Sequence, residues 1–237
     1  MSLDNYDKDK FVVLVCAGPS ARFVKKADEY YTAGVNVTPN LIEETDFWVV
    51  NDACYFIDIP EEKLLKIKNL AMPQFPHTVN GSNYMPNEKL DYLALTKTMP
   101  SNIKIHPFNI HTAPRFNMPY DTNLPYFEVK SSSESCFRWL LHNGFTKFIS
   151  LGHDPSGGYH DSQYSRPTKQ GGRFMVKTPI DNSRYQMVHQ RMRSVVEEAK
   201  ASWIRVVLPA DSSFDKEVFN KVKDHPLDET GYAEVTL

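Results

Sequence analysis

Polar residues that can do chemistry recur in this chain at one kind of place, directly after a short apolar run. Gly18, Pro19 and Ser20 follow Phe11 to Cys16; Asn36 follows Gly34-Val35; Asn51 and Asp52 close Phe47 to Val50; Gly152, His153 and Asp154 follow Phe148 to Leu151. An unbroken valine-rich run such as 11–16 reads as a strand buried on both faces of a parallel sheet. Open α/β sheets gather ligands at the carboxyl ends of such strands. A tight glycine turn that leads from a strand into a helix aims free backbone N–H groups at a phosphate. The same turn serves any βα unit that needs a glycine. Neither GxGxxG nor the Lys-Ser/Thr pair of a Walker loop is present.

The elements that position these residues follow from the pattern. After the first strand a helix is expected over 21–30, then a short strand near 34–37, another over 46–52, and a surface helix over 61–70. Eight of the sixteen prolines fall between 71 and 130, which reads as an irregular insertion with a short helix near 88–96 and a strand near 103–110. Ser131-Ser132-Ser133-Glu134 opens a helix to about His142, Glu134 standing where a capping box needs it. Strand 147–151 follows. Residues 155–182 are polar, carry Tyr159 and Tyr164, and read as a long lid loop. Ser183 is expected to cap the longest helix, 184–202; a strand over 203–208 and a helix over 214–222 come before an acidic tail expected to fray. The whole is one Rossmann-like α/β domain over 1–237, a mostly parallel sheet with helices on both faces.

Composition narrows the function. Formal net charge is -2, so no broad basic field recruits nucleic acid or anionic membrane. No apolar stretch approaches the roughly 20 residues of a membrane span, and the polar start is no signal peptide, so a cytoplasmic protein is expected. Cys16, Cys54 and Cys136 are too widely spaced for a zinc site, and Cys16 and Cys54 read as small core residues.

Taken together and in order, Ala17-Gly18-Pro19-Ser20, Asn36, Asn51, Ser131-Ser132-Ser133, the stretch GFTKFISLGHD at 144–154, and Asp181-Asn182-Ser183-Arg184-Tyr185 followed by His189 resemble the bacterial sialyltransferases that use CMP-sialic acid. They are also similar to the wider group with flagellar motility accessory factors and archaeal 6-hydroxymethyl-dihydropterin diphosphokinases. The resemblance implies a glycosyltransferase fold and residue roles. Gly18, Pro19 and Ser20 would meet the nucleotide phosphate, and Asn36 and Asn51 phosphate, base or sugar. Ser132 and Ser133 would hold the cytidine or its ribose and Asp154 would take ribose hydroxyls, with Ser131, Gly152 and Asp52 also in the nucleotide site. Tyr159, Tyr164 and Tyr185 would supply phenols to the leaving phosphate, and His189 would be the general base. No metal is obligatory in such a transfer, and the acceptor, a glycan or otherwise, is not specified. The chain departs from the family at Ala17 and Ser133, and by one extra residue between Tyr185 and His189. Two further readings stay open: a magnesium-dependent pyrophosphoryl transfer to a pterin with Asp52 and Asp154 as metal carboxylates, and a nucleotide-binding protein without catalysis. His153 has no part in any of the three, so its replacement by alanine is expected to be harmless.

Overall fold

The computed structural model describes residues 3–52, 55–56, 59–80, 83–86, 99–111, 114, 117, 119–154, 165–167, 173–175 and 182–237. Cys54, Tyr159, Tyr164, the expected helix 88–96 and most of the expected lid lie outside them.

Nine parallel strands form the main sheet, and its frame is β1 (Phe11–Val15), β2 (Tyr30–Val35), β3 (Thr45–Val49), β4 (Ile67–Pro73), β7 (Lys104–Ile110) and β8 (Tyr126–Phe127) on one side. On the other side of β1 lie β9 (Lys147–Leu151), β12 (Ser202–Val207) and β13 (Tyr232–Thr236). The spatial order is β13-β12-β9-β1-β2-β3-β4-β7-β8. Two small antiparallel pairs stand apart, β5 (His77–Asn80) with β6 (Asn83–Pro86) and β10 (Ser165–Pro167) with β11 (Arg173–Met175). The order reverses between β1 and β9, where the chain leaves in opposite directions. This is an α/β Rossmann-like fold.

Side chains alternate across the sheet, as the strand repeat demands. Val12, Leu14, Phe47, Val49, Phe148 and Trp203 face helices α2 (Ser132–His142) and α3 (Asn182–Glu198), which bring Phe137, Leu140, Met192 and Val196. Val13, Val15, Ile149 and Val206 face the opposite way, toward Phe219 and Val222 of α4 (Lys216–Val222) and toward Val24 and Ile42. Farther along that face Trp48, Leu70 and Met72 pack on Tyr55, Ile59 and Ile103. The valines of β1 are all fully buried, as the unbroken run requires.

Four local expectations are corrected. Residues 21–29 are not helical: Val24 is fully buried in isolated bridges to Ile42 and Phe214. Geometry gives the reason. With 16–20 occupied at the sheet's carboxyl edge, a helix over 21–29 would rise only about 13 Å, short of the roughly 17 Å back along a five-residue strand. Residues 61–70 split into one helical turn, α1 (Glu61–Leu64), and the start of β4. Lys68, which read as a polar helix face, instead leaves the strand toward Glu44 and Asp46. The proline-rich stretch is more regular than expected, since it completes β4 and supplies β7 and β8. Pro107 is tolerated in β7 because β8 pairs only with Asn109 and Ile110, so one side of the strand is open beside the proline. The acidic tail does not fray: β13 pairs with β12 along its whole length and buries Tyr232, Ala233 and Val235.

Ending the chain at Glu229 removes β13. Burial of a large apolar side chain is worth about 1.5–3 kcal/mol, so loss of Tyr232 and Val235 alone should cost at least about 3 kcal/mol. Urea denaturation followed by tryptophan fluorescence reads this directly. An unchanged midpoint would mean that the tail contributes nothing to the sheet.

Candidate functional site

At the reversal between β1 and β9 the two exit loops are laced together. The Cys16 N–H donates to the Leu151 carbonyl (2.8 Å) and the Gly18 N–H to the Gly152 carbonyl (2.7 Å). The Ser20 N–H donates to Asp154 Oδ2 (2.8 Å), and the Gly152 N–H to Ser20 Oγ (3.0 Å). Arg205 reaches in from β12, with Nε to the His153 carbonyl and Nη2 to Asp154 Oδ1, both 2.8 Å. Its Nη1 pairs with Glu234 of β13 at 2.5 Å. The side chains of Arg205 and Asp154 are only 7% and 6% exposed.

This packing explains the glycines. A Cβ on Gly18 would stand 2.3 Å from Asp154 Oδ2 and 2.5 Å from the Gly152 carbonyl oxygen. Gly152 has φ +66°, and a Cβ there would meet the Cys16 carbonyl oxygen at 2.3 Å. Burial pushes the Cys16 thiol up, so it is an inert core thiol. The N–H of Gly18 and both oxygens of Asp154, expected to face a nucleotide, are committed to protein partners; Pro19 is exposed.

The neighbouring carboxyl ends are different. Asn36 follows β2 in the left-handed region at φ 54°, and its carbonyl accepts from Trp48 Nε1 at 2.8 Å. Asn51 follows β3 and is 5% exposed; Asp52 beside it is also buried. Asn109, next to last in β7, is 2% exposed and donates from Nδ2 to the Asp121 carbonyl. The side-chain oxygens of Asn36, Asn51 and Asn109 are buried without a hydrogen-bond partner. Asn109 was not legible in sequence. The signal it offers is an amide near the end of an apolar-alternating run, obscured there by the surrounding prolines.

Ser131 caps α2, its Oγ accepting from the Glu134 N–H (3.1 Å) and pairing with Ser133 Oγ (2.9 Å). The expected capping box forms with a shift: Glu134 Oε2 accepts from the Lys130 N–H, one residue earlier than the usual partner. Ser132 is buried in the first turn. Fully buried Glu134 also holds Arg138 and, from α3, Arg191.

α3 begins at Asn182, so Ser183 stands inside its first turn and is not the expected cap. His189 lies within the helix, packed against His153, Trp203 and Tyr232 at ring distances of 5.5, 5.2 and 5.3 Å. Its Nδ1 is buried without a partner. Burial, reinforced by the nearby Arg205 and Arg193 charges, lowers its pKa to about 4. Burial, then His189 and Arg205, lowers that of His153 to about 3. Tyr185 sits half-buried in the first turn of α3. The sequence-derived set thus divides. Gly18, Ser20, Gly152 and Asp154 are joined in the lacing, Asn36, Asn51 and Asp52 stand at adjacent strand ends, and His189 packs over β12 and β13. His153 is a buried packing residue, so its replacement by alanine leaves a void beside Trp203 and is not harmless.

Among the described residues no three His, Cys, Asp or Glu side chains group as a metal centre, and no helix is long and apolar enough to cross a membrane. Comparison with family models, curated proteins and solved structures returns no match.

Replacing Asp154 with Asn removes one of the two carboxylates that hold the buried Arg205 charge and leaves it Glu234. Breaking a buried pair outright costs about 3–5 kcal/mol, so with Glu234 still in place the urea midpoint should fall by less than that. Both histidines are neutral in the folded chain and, unfolded, would titrate near the ordinary pKa of about 6.5. Stability is therefore complete above about pH 6.5 and declines as the unfolded state gains protons, down to about pH 4 for His189 and pH 3 for His153. Denaturation midpoints from pH 8 to pH 3 should show this decline, and His153→Leu should reduce its slope. A slope unaltered in that variant would remove His153 from the account.

Proposed function

We propose that this chain binds a nucleotide-activated sugar, in the first instance a CMP-activated one, along the carboxyl ends of β2, β3 and β7, and transfers the sugar to an acceptor hydroxyl. The observation that carries the reading is the row of buried, unpartnered carboxamide oxygens on Asn36, Asn51 and Asn109. An unsatisfied buried polar atom costs about 1–3 kcal/mol, so three along one sheet edge call for a ligand that completes them. From β2 to β7 is three strand intervals, about 14 Å, the span of two linked ring systems rather than of one phosphate. Acceptors select for donors, and sugar hydroxyls and the exocyclic amine of cytosine supply them. The lead ligand class follows the resemblance to the CMP-sialic-acid sialyltransferases.

In this reading His189 is the general base. It packs over β12 and β13, three strand intervals or about 14 Å from β2, so the sugar end of the donor has to extend past β1 and β9 to bring the acceptor to it. A pKa near 4 keeps its imidazole neutral and able to accept a proton at pH 7, at reduced basicity. The magnesium-dependent alternative is less well supported, because both oxygens of Asp154 already accept from Ser20 and Arg205.

Thermal unfolding with CMP, UMP and ATP, each with magnesium and with EDTA, tests the reading. A ligand at about 100 times its Kd adds roughly 2.7 kcal/mol of stability. Stabilisation by CMP that persists in EDTA, exceeds that by UMP and is lost in Asn51→Ala is expected; a response to ATP with magnesium alone would overturn the proposal. His189→Ala should keep CMP affinity while abolishing transfer, and the acid limb of wild-type transfer should fall near pH 4 rather than 6.5.

A further inference from the structure

The opposite edge of the sheet carries a second, independent feature. A cavity of about 300 Å³ opens at the amino ends of β2, β3 and β4, walled by Tyr6, Lys10, Lys26, Tyr31, Asp46 and Lys68. It lies roughly one strand length, about 17 Å, from the carboxyl edge.

Its floor is Asp46, 1% exposed. Asp46 Oδ2 accepts from the Thr32 N–H (2.9 Å), from Thr32 Oγ1 (3.2 Å) and from Lys26 (3.0 Å), and Oδ1 accepts from Lys68 (2.9 Å). This carboxylate has little capacity left. Each ammonium carries three donors. Lys26 commits one of them to Asp46, Lys68 one to Asp46 and one to Glu44, and Lys10 one to the Asp28 carbonyl. The phenols add more. Tyr31 accepts from the Asp7 N–H and Tyr6 from Asn69 Nδ2, so each keeps its own O–H to give. Lys10 also lies 5.2 Å from the centre of the Tyr31 ring. The wall is therefore rich in donors: three ammonium groups face two carboxylates, Asp46, whose oxygens are already taken up, and Asp28, which also lines the cavity.

We propose that this cavity binds a compact phosphoryl anion, held by the ammonium groups of Lys10, Lys26 and Lys68 with the Tyr6 and Tyr31 hydroxyls donating to its oxygens. Lysine ammonium groups bind phosphoryl oxygens as point charges with charge-assisted hydrogen bonds.

Calorimetric titration of the whole chain with inorganic pyrophosphate, in chloride buffers of rising ionic strength, tests the site. Saturable one-site binding that weakens as salt rises is expected. Lys10→Gln is the informative variant, since Lys10 has no bond to the buried Asp46 and its loss leaves that carboxylate paired. It should weaken binding about tenfold, the worth of one charge-assisted hydrogen bond. Asn51→Ala, at the far edge, should bind pyrophosphate as wild type does. Absence of saturation at millimolar pyrophosphate, equal affinity in Lys10→Gln, or loss of binding in Asn51→Ala would each overturn the proposal.

Discussion

Asp154 and Arg205 are buried charges in the middle of a parallel sheet, and the sheet's carboxyl edge is organised by what each needs. A carboxylate taken out of water requires donors, and here they come from two different strands' connections: the Ser20 N–H beyond β1 and the guanidinium on β12. The guanidinium in turn requires acceptors, and finds them in the His153 carbonyl, Asp154 and Glu234. One pair of charges thereby connects β1, β9, β12 and β13. Desolvation makes such a pair a poor source of net stability compared with apolar packing, while loss of one partner is costly. The interaction therefore acts mainly as a constraint. It fixes the loops after β1 and β9 against each other, and Gly18 and Gly152 follow because no Cβ fits between them.

That constraint moves the place where a ligand can be met. In doubly wound sheets the crevice at the reversal of strand order is the usual site. Here the N–H groups of Cys16, Gly18, Ser20 and Gly152 are spent inside the protein, and among the described residues buried carboxamide oxygens without partners lie on the next strands over, at Asn36, Asn51 and Asn109. Those amides are neutral, so they tune hydrogen-bond complementarity without adding a field. At the other edge the ammonium groups of Lys10, Lys26 and Lys68 gather around Asp46. The two edges consequently present different chemistry, carboxamide acceptors at one and ammonium and phenol donors at the other.

Elements whose identity depends on local chemistry were legible in the sequence. The unbroken valine run of β1, the serine cap of α2 and the apolar spacing of α3 each carry their own signal. Residues 21–29 and 61–70 misled for a shared reason: their conformation is set by distance to be crossed and by neighbours distant in sequence. Val24 is extended because Ile42 and Phe214 accept it there, and Lys68 faces outward because Asp46 is buried beneath it. The end strand β13 shows the same thing, since an acidic, exposed-looking segment becomes a strand when β12 offers a free edge and Arg205 offers a partner for Glu234. Glycines 18 and 152 were visible as a turn, but their reason, the close approach of Asp154 and of the Cys16 carbonyl, exists only in three dimensions.

His189 shows why position in a motif and chemical role must be argued separately. Its place in α3 was expected from the apolar spacing of that helix, yet its state is set by the aromatic rings of Trp203 and Tyr232 and by the Arg205 charge. Those neighbours favour the neutral ring by denying the imidazolium both solvent and a counter-charge of its own. The environment that keeps the ring ready to accept a proton at neutral pH also lowers its affinity for that proton. A base held this way is effective only when the acceptor hydroxyl is brought against it and water is kept out, because proximity then supplies what basicity does not. For the base role proposed above, the demand on His189 is therefore geometric rather than one of basicity.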